Sequence, residues 1–330
     1  MKPNERLQVA LANGVPDSVP VGAWGHFYIQ EIKTADFAAT MVEFYHRYQW
    51  DFIKVHSRAS YHVEGWGYTY RPSTNSSTSH YCLSSPISQP EDWAKLRPLD
   101  LSCPPLAEQL AILRSIRRQV GPHVPIIMTV FLPLDVADKL VDRNTELLRQ
   151  HLAIAPELVC GALDAIATTF ANLVRALVNE GVDGIYFSSK WANSHHLSSS
   201  DYLKWIKPYD LRVMSEAKSL WCNFLHLCEN DIYLNDCLDY PAQVMHWDTA
   251  SGNNPSFATV RQKIPSLVVS GGISSSLLAY GSTDDVRRSV REAIEQTQGR
   301  GFILAPGCSV LIGKTPQENL DALRQAAQFR

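Results

Sequence analysis

Three features that would place this sequence in whole classes of protein are missing from it. It has no apolar run of about 18 residues, the length needed to cross a bilayer. Its N-terminal stretch contains Glu5 and Asp17 and lacks the apolar core of a secretory signal. It has no extended Lys/Arg cluster, and its formal net charge is −3. These absences argue against a membrane protein, a secreted protein and a nucleic-acid-binding protein, so we expect a soluble cytoplasmic protein.

Cysteine is also scarce, with seven residues scattered over a chain of 330. Without a secretory signal, such cysteines are expected to be reduced and mostly packed in the core, with metal binding or catalysis the exception. Apolar residues are plentiful, at 45% of the chain against 19% charged. This composition, with no linker or internal repeat, predicts one large α/β domain covering residues 1–330.

Eight short apolar runs, each followed by a segment of helical character, determine the expected fold. Eight β/α units in a chain of this length predict a single-domain (β/α)8 TIM barrel, with a long insertion at 57–90 after the second strand. An open doubly wound sheet is disfavoured, because the turn after the first strand reads GAWGHF and lacks the glycine pattern of a phosphate-binding loop. The predicted strands are 19–24, 51–55, 125–130, 183–187, 221–227, 243–247, 267–269 and 301–304.

Several of the expected helices have clear sequence signals. Residues 156–180 place apolar side chains three and four positions apart on one face. Helices are also expected over 134–152 and over 199–218. For the final helix, Thr315 followed three residues later by Glu318 predicts a capping box with Thr315 as the N-cap.

Three residues at strand ends form a metal-binding pattern. His226 and Cys228 end the fifth strand, and residues two apart on a strand face the same side. Cys308 follows the eighth strand and can turn inward at the barrel mouth, where the functional groups of this fold gather. One imidazole and two thiolates suit Zn²⁺ and leave a fourth position open for water or substrate. Alone, His-x-Cys more often marks core packing, and it is the added Cys308 that favours zinc.

Further polar and aromatic residues are expected at the same mouth because they lie at or after strand ends. Each alone is more often a hydrogen-bonded wall residue, a loop cap or a solvated carboxylate, but together they describe a pocket for a small ligand. The aromatic stretch 61–81 is either a lid or a surface excursion packed on its own side chains. The predicted substrate-binding residues are Trp24, His26, Lys54, Tyr186 and His246, and the predicted catalytic residues are His56, Glu64 and Asp248.

From about residue 4 to residue 328, the chain resembles the uroporphyrinogen decarboxylase superfamily. The resemblance is carried by DSVPVGAW, DFIKV, TVFLPL, GVDGIYFSSK, WCNFLHLC, RGFILAPGC and TPQENL. It implies a (β/α)8 barrel with the site at its C-terminal mouth. One branch of the superfamily decarboxylates uroporphyrinogen without a cofactor. The other comprises zinc methyltransferases that move a methyl group, commonly from a corrinoid protein, to a thiol such as coenzyme M.

Two motifs favour the methyltransferase branch. The decarboxylase signature, of the form RQAGRY, binds carboxylates, whereas the corresponding VGAWGHFYIQEIK has no arginine. The H-x-C motif and distant cysteine of the methyltransferases match His226, Cys228 and Cys308, although Glu229 stands where glycine usually follows.

The resemblance therefore implies a zinc-dependent transferase that moves a methyl group to or from a thiol or a related small molecule. It also implies a corrinoid protein or another methyl donor as partner, and a homodimer as the assembly. One alternative is a cofactor-independent decarboxylase or lyase that acts on a small carboxylated substrate. Another is a non-catalytic or corrinoid-partner-binding barrel in which zinc is structural.

Overall fold

The computed structural model describes residues 1–328 and shows a ring of parallel strands surrounded by helices. Seven strands form one sheet in the order β1-β4-β5-β6-β7-β8-β9, and β2 pairs with β3 in a separate antiparallel hairpin. The strands are β1 (Ile53–Val55), β2 (Thr69–Arg71), β3 (Tyr81–Ser84), β4 (Ile126–Phe131), β5 (Gly184–Ser189), β6 (Phe224–Leu227), β7 (Val244–His246), β8 (Val268–Ile273) and β9 (Phe302–Pro306).

The segment around Val21 takes the eighth strand position and closes the ring between β9 and β1. Leu304 N donates to the Pro20 carbonyl at 2.8 Å, and Asp51 N donates to the Val21 carbonyl at 2.8 Å. The predicted first strand is shortened to one bridge, between Val21 and Leu304. The reason is local, since Pro20 has no N–H and Val21 N donates to the Asp51 carboxylate at 2.9 Å. The other seven predicted barrel strands are present, and the (β/α)8 architecture is confirmed.

Two of the predicted helices are interrupted. The one expected over 134–152 is split because Asp142 and Arg143 adopt left-handed φ values of 50° and 61°. The one expected over 199–218 contains a π-helical turn at Tyr202–Ile206. The α-helices are α1 (Pro3–Leu11), α2 (Thr34–Tyr48), α3 (Tyr61–Glu64), α4 (Pro104–Val120), α5 (Pro133–Leu140), α6 (Thr145–Ile154), α7 (Pro156–Asn179), α8 (Ser199–Asp201), α9 (Lys207–Ser215), α10 (Phe257–Lys263), α11 (Ser275–Tyr280), α12 (Thr283–Thr297) and α13 (Gln317–Ala326).

Helix α7 corrects the expectation that no segment is long and apolar enough to cross a membrane. By length and composition it is, with a mean hydropathy of 1.4 over its most apolar window. In the fold, 61% of that window is buried, and the helix packs against α5 and α9 in the outer layer of the barrel. Its apolar residues therefore belong to the core, as the spacing on one face predicts.

The last helix begins later than its sequence signal predicts. Helix α13 starts at Gln317 with Pro316 as N-cap and without a side-chain cap. The hydroxyl of Thr315 is buried and has no hydrogen-bond partner in the described chain. The predicted capping box is therefore wrong, because Thr315 lies one residue before the position at which a side chain could cap the helix.

The insertion at 57–90 contains helix α3 and the β2–β3 hairpin rather than one long loop. It is attached to the barrel where the Tyr61 hydroxyl donates to the Thr129 carbonyl of β4 at 2.8 Å. Its far end brings Ser79 and His80 to the C-terminal mouth of the barrel. The insertion thus supplies part of the wall of the cavity described below.

Candidate metal centre and its cavity

His226, Cys228 and Cys308 converge at the C-terminal mouth of the barrel. His226 lies in β6, and Cys228 directly follows that strand. Cys308 comes two residues after the end of β9. One atom from each side chain, a nitrogen and two sulfurs, lies within 4.8 Å of the other two. Within residues 1–328 this is the one cluster of three or more His, Cys, Asp or Glu side chains close enough to share a metal ion.

Gly307 lets the chain bring Cys308 to this point. A Cβ at Gly307 would overlap the carboxyl group of Asp248, so any side chain there would push the turn away. Gly307 N donates to the Ile273 carbonyl at 2.7 Å, which attaches the turn to the end of β8. Burial raises the pKa of Asp248, whose Oδ1 accepts from Ala250 N at 2.9 Å. Asp248 therefore lies behind the cysteine turn.

His226 has an orphaned nitrogen that a metal ion would satisfy. Its Nδ1 lies 2.8 Å from Nδ1 of His246, whereas its Nε2 is buried without a hydrogen-bond partner in the described chain. A buried polar atom without a partner is costly, and such an atom needs a physical reason. Coordination of a cation by the free lone pair is one such reason.

The two cysteines form a coupled pair. The Cys228 thiol donates to the Cys308 sulfur, and this hydrogen bond, with burial, raises the pKa of Cys228. The same hydrogen bond holds the pKa of Cys308 well below its usual range. Cys308 is thus the first of the two to become a thiolate, the form that binds metals. An imidazole lone pair beside two sulfurs fits Zn²⁺.

A cavity of about 520 Å³ opens beside the three residues. Five of the eight predicted substrate-binding and catalytic residues line it together with the predicted metal ligands. They come from the segment after Val21, from β1 and from β5, so the barrel mouth does gather side chains from separate strands. These lining residues are Trp24, His26, Lys54, His56 and Tyr186, with His226, Cys228 and Cys308.

Lys54 has a buried amine with no carboxylate within ion-pair distance in the described chain. Its Nζ lies 2.6 Å from Nδ1 of His56 and above the rings of Tyr186 and Trp24, at 4.1 and 5.2 Å from their centroids. Burial lowers the pKa of Lys54 well below its usual range. Burial, and then the charge of Lys54, lower the pKa of His56 as well. The pair therefore favours neutral groups that can take up or give a proton.

Glu31 holds two histidines of the cavity wall. Its carboxylate oxygens lie 3.0 Å from His26 Nδ1 and 3.0 Å from His80 Nε2. Burial alone would raise the pKa of Glu31, but the hydrogen bond from His26 and the close approach of the His80 imidazole outweigh it and lower the pKa to about 2. An ionised carboxylate on Nδ1 keeps the proton of His26 there and leaves Nε2 as the basic nitrogen.

Three predicted site residues do not line the cavity. His246 is fully buried behind the metal-ligand cluster. Asp248 lies behind the cysteine turn, as described above. The Glu64 carboxylate accepts hydrogen bonds from Arg58 Nε and from the Ser60 hydroxyl, both at 2.7 Å. The Glu64 carboxylate therefore holds the Arg58 side chain in place.

Charged residues after β4 and β5 line the cavity without being among the residues predicted from the sequence. Both oxygens of Asp135 accept from Lys190 N, at 2.9 and 3.0 Å, and Lys190 Nζ donates to Asp138 at 3.1 Å. The position of Asp135 and Lys190 after strand ends was the available signal. Arg143 carried no such signal, because it reaches the cavity through the break between α5 and α6.

Glu229, which replaces the usual glycine, has a φ of 71°. This left-handed conformation is one that glycine adopts without strain and other residues rarely adopt. The Glu229 carboxylate lines the cavity, lies 2.8 Å from His196 Nε2 and lies 3.9 Å from Lys190 Nζ. The loop thus keeps a conformation suited to glycine and adds a carboxylate beside Cys228.

The barrel and its mouth define a class: a TIM-barrel protein with a nitrogen- and sulfur-containing candidate metal centre at the end where this fold places active sites. Residues 3–329 match the family described as uroporphyrinogen decarboxylase (URO-D). The chain therefore belongs to the uroporphyrinogen decarboxylase family, whose members that resemble it include enzymes of two kinds.

One kind is a uroporphyrinogen decarboxylase of Parasynechococcus marenigrum, 24% identical over 246 residues, or 72% of this chain and 67% of that protein. The other is the methylcobamide:CoM methyltransferase MtaA of Methanosarcina barkeri, 27% identical over 225 residues, or 65% of this chain and 61% of that protein. A solved structure of a methyltransferase from Methanosarcina mazei superposes with a TM-score of 0.83 at 22% identity, covering 99% of this chain and 98% of that one. That likeness shows the fold.

Proposed function

We propose that this protein is a zinc-dependent transferase that moves a methyl group to or from a thiol or a related small molecule. The observation that carries the proposal is the cluster of His226, Cys228 and Cys308 beside the cavity, with its unpartnered Nε2. Three ligands that face a cavity leave a coordination position within reach of a substrate. That is the pattern of a catalytic zinc site and not of a closed structural one.

The protein's own groups would hold the substrate and move its proton. Zinc, when bound to the three ligands, supplies a Lewis acid that favours the thiolate form of a substrate thiol. The proton released from the thiol passes to Nε2 of His26, whose Nδ1 is held by ionised Glu31. The His26 ring lies 4.1 Å from that of His56, so the Lys54–His56 pair is the next group in reach.

In the transfer itself, the substrate sulfur forms a bond to the methyl carbon, and the donor keeps the electron pair of the broken bond. Trp24 and Tyr186, with ring centroids 5.3 Å apart, provide an apolar wall that excludes water from this step. Asp248 and Glu64 contribute from outside the cavity, by supporting the Cys308 turn and by holding Arg58.

Cofactor-independent decarboxylation is the second candidate, and one observation favours it. Arg143 lines the cavity without an ion-pair partner in the described chain, and an unpaired guanidinium attracts carboxylates. Such a reaction would not use the sulfur ligands. Dependence of the activity on zinc therefore separates the two candidates.

Methyl transfer requires a donor, and we assign this role to a corrinoid protein or another methylated compound. Support comes from the relatives named methylcobamide:CoM methyltransferases. We also assign the protein to the cytoplasm, where its seven unpaired cysteines would stay reduced. A homodimer is the assembly that the family resemblance implies.

Zinc analysis of the purified protein tests the proposal. We expect about one zinc per chain, retained in Cys160→Ala, whose cysteine lies in α7, and lost in Cys308→Ala. With methylcobalamin as donor, and coenzyme M and simple thiols as acceptors, the zinc-loaded protein should form the S-methyl product. Folded protein that binds no zinc when zinc is supplied would overturn the proposal. Decarboxylation of a carboxylated substrate by the metal-free protein would favour the second candidate.

A further inference from the structure

A chain of buried hydrogen bonds runs behind the candidate metal centre. His246 Nε2 lies 2.9 Å from the Pro306 carbonyl. His246 Nδ1 lies 2.8 Å from Nδ1 of His226 and 3.0 Å from the hydroxyl of Tyr186. The His246 ring is completely buried and does not line the cavity, so it cannot contact a substrate held there.

The Pro306 carbonyl determines the direction of the hydrogen bond between His246 and His226. A carbonyl oxygen can only accept, so His246 Nε2 must carry a hydrogen. A buried imidazole with no carboxylate beside it is neutral, because an uncompensated buried charge is costly. Its Nδ1 then carries the single lone pair of the ring, which accepts from the Nδ1–H of His226, the nearer neighbour at 2.8 Å, while the Tyr186 hydroxyl lies 3.0 Å away.

This order leaves one tautomer for His226. With its hydrogen on Nδ1, its Nε2 is a lone pair, and this is the buried nitrogen that has no hydrogen-bond partner in the described chain. In the opposite order, His246 would donate from Nδ1 and lose the bond to Pro306. His226 would then carry its hydrogen on Nε2, the nitrogen that a metal needs free.

We propose that His246 is the positioning residue of the metal centre: it fixes the Nε2 lone pair of His226 and ties that ligand to the end of the strand that leads to Cys308. His246 lies opposite His226 in the strand register. Its other nitrogen reaches Pro306, two residues before Cys308. One side chain therefore connects the two separate pieces of chain that carry the ligands.

Packing holds the His246 ring in this orientation. Its centroid lies 4.7 Å from that of His226, and 5.5 Å from those of both Trp24 and Tyr186. A hydrogen-bonded and closely packed ring cannot turn without breaking several contacts at once. The role differs from the substrate contact that the sequence predicts for His246, because the ring touches the ligand cluster and not the cavity.

Zinc affinity measured by competition with a chelating dye tests the role; this inference rests on the proposed zinc site. We expect His246→Phe to weaken zinc binding by about 10- to 100-fold, the usual effect of losing a partner of a metal-bound histidine. His246→Gln should restore much of the affinity, because its amide can accept from His226 and donate to Pro306. His151→Phe is the matched control, since it removes another buried histidine, one that accepts from Trp93 Nε1 at 3.0 Å outside the site.

Nitrogen-15 spectra of the histidines in the metal-free wild-type protein give a second readout that does not depend on any variant folding. We expect His246 protonated on Nε2 and His226 on Nδ1. Observation of His246 protonated on Nδ1, or wild-type zinc affinity in folded His246→Phe, would overturn the inference. If the wild-type protein shows the expected tautomers but binds no zinc, the proposed function fails while the hydrogen-bond order stands.

Discussion

Nζ of Lys54 lies 2.6 Å from Nδ1 of His56, and the two side chains share one face at the end of β1 because they are two residues apart. No carboxylate of the described chain lies within ion-pair distance of this buried amine. Burial lowers the pKa of both Lys54 and His56. The positive charge that a lysine ordinarily carries at neutral pH is therefore disfavoured at Lys54. Such an arrangement is costly to the fold and useful for moving protons.

Lys54→Met should therefore make the protein more stable and less active. Removing the amine removes the free-energy cost of burying it away from water, and methionine occupies a volume similar to that of lysine. We expect a higher Tm, an unchanged zinc content and a fall in methyl-transfer turnover of about 10²-fold or more, as for a lost proton-transfer group. Lys207→Met, whose amine pairs with Asp239 outside the cavity, is the control and should keep its turnover. Full activity in Lys54→Met would contradict the assigned role.

Glu229 allows backbone strain to be measured beside Cys228. Glu229→Ala and Glu229→Gly both remove the carboxylate, but only alanine keeps a Cβ at a φ of 71°. We expect the glycine variant to be more stable than the alanine variant by about 1–2 kcal/mol, the cost of a left-handed conformation for a residue with a side chain. Denaturant unfolding of the two metal-free proteins measures the difference. Equal stabilities would show that the backbone at this position carries no strain.

Asp210 of α9 should make the fold less stable as the pH rises toward neutrality. Burial raises its pKa to about 7, even though the hydroxyls of Tyr202 and Tyr240 donate to it at 2.9 and 3.0 Å. In the unfolded chain an aspartate titrates near about 3.9. Between these two pH values the folded state binds more protons than the unfolded state. The free energy of unfolding therefore falls with increasing pH, by about 1.4 kcal/mol per pH unit.

The variant Asp210→Asn removes this titration, so its free energy of unfolding should fall less between about pH 4 and pH 7 than that of the wild type. Urea unfolding at a series of pH values gives the comparison. Asp164→Asn, at an exposed carboxylate of α7 that pairs with Arg212, is the control and should follow the wild-type slope. A wild-type slope in Asp210→Asn would mean that another group is responsible.

Glu31→Gln should lower both stability and turnover. The carboxylate is ionised, with a pKa of about 2, and its two oxygens each lie 3.0 Å from a nitrogen of His26 or His80. A neutral amide weakens both contacts and no longer holds the Nδ1 proton of His26, so Nε2 is less often free to take the substrate proton and turnover should fall. We expect a loss of about 1–3 kcal/mol in stability. Glu108→Gln, which also changes a carboxylate bound to a neighbouring side chain, should leave turnover unchanged.

The convergence of His226, Cys228 and Cys308 could be predicted from the sequence because regular geometry brings these side chains together. The two-residue period of a strand puts His226 and Cys228 on one side, and a closed ring of parallel strands brings Cys308 to the same end. The lining residues of β1 and β5 follow from the same rule. Their roles in catalysis and binding remain predictions, because strand position determines where a residue lies and not what it does.

Other features of the cavity and the candidate metal centre could not be predicted, because they depend on backbone and side-chain conformations that no residue type indicates. Arg143 reaches the cavity because it and Asp142 adopt left-handed φ values, although neither is a glycine. The link from His246 to Pro306 depends on a side-chain orientation that spans β7 and β9. At Thr315 the sequence pattern instead predicted a feature that is absent. The capping pattern is present, but helix α13 begins one residue too late for Thr315 to cap it.

The bridge between Val21 and Leu304 has a consequence for how the protein is made. The ring closes only when a segment near the start of the chain meets the last strand, and Cys308 follows that same strand. A ribosome must therefore synthesise the chain as far as β9 before the barrel can close, and as far as Cys308 before its sulfur can reach His226 and Cys228. A metal ion that needs all three side chains would bind only after that point, and the growing chain presents open strand edges until then, which exposes it to aggregation.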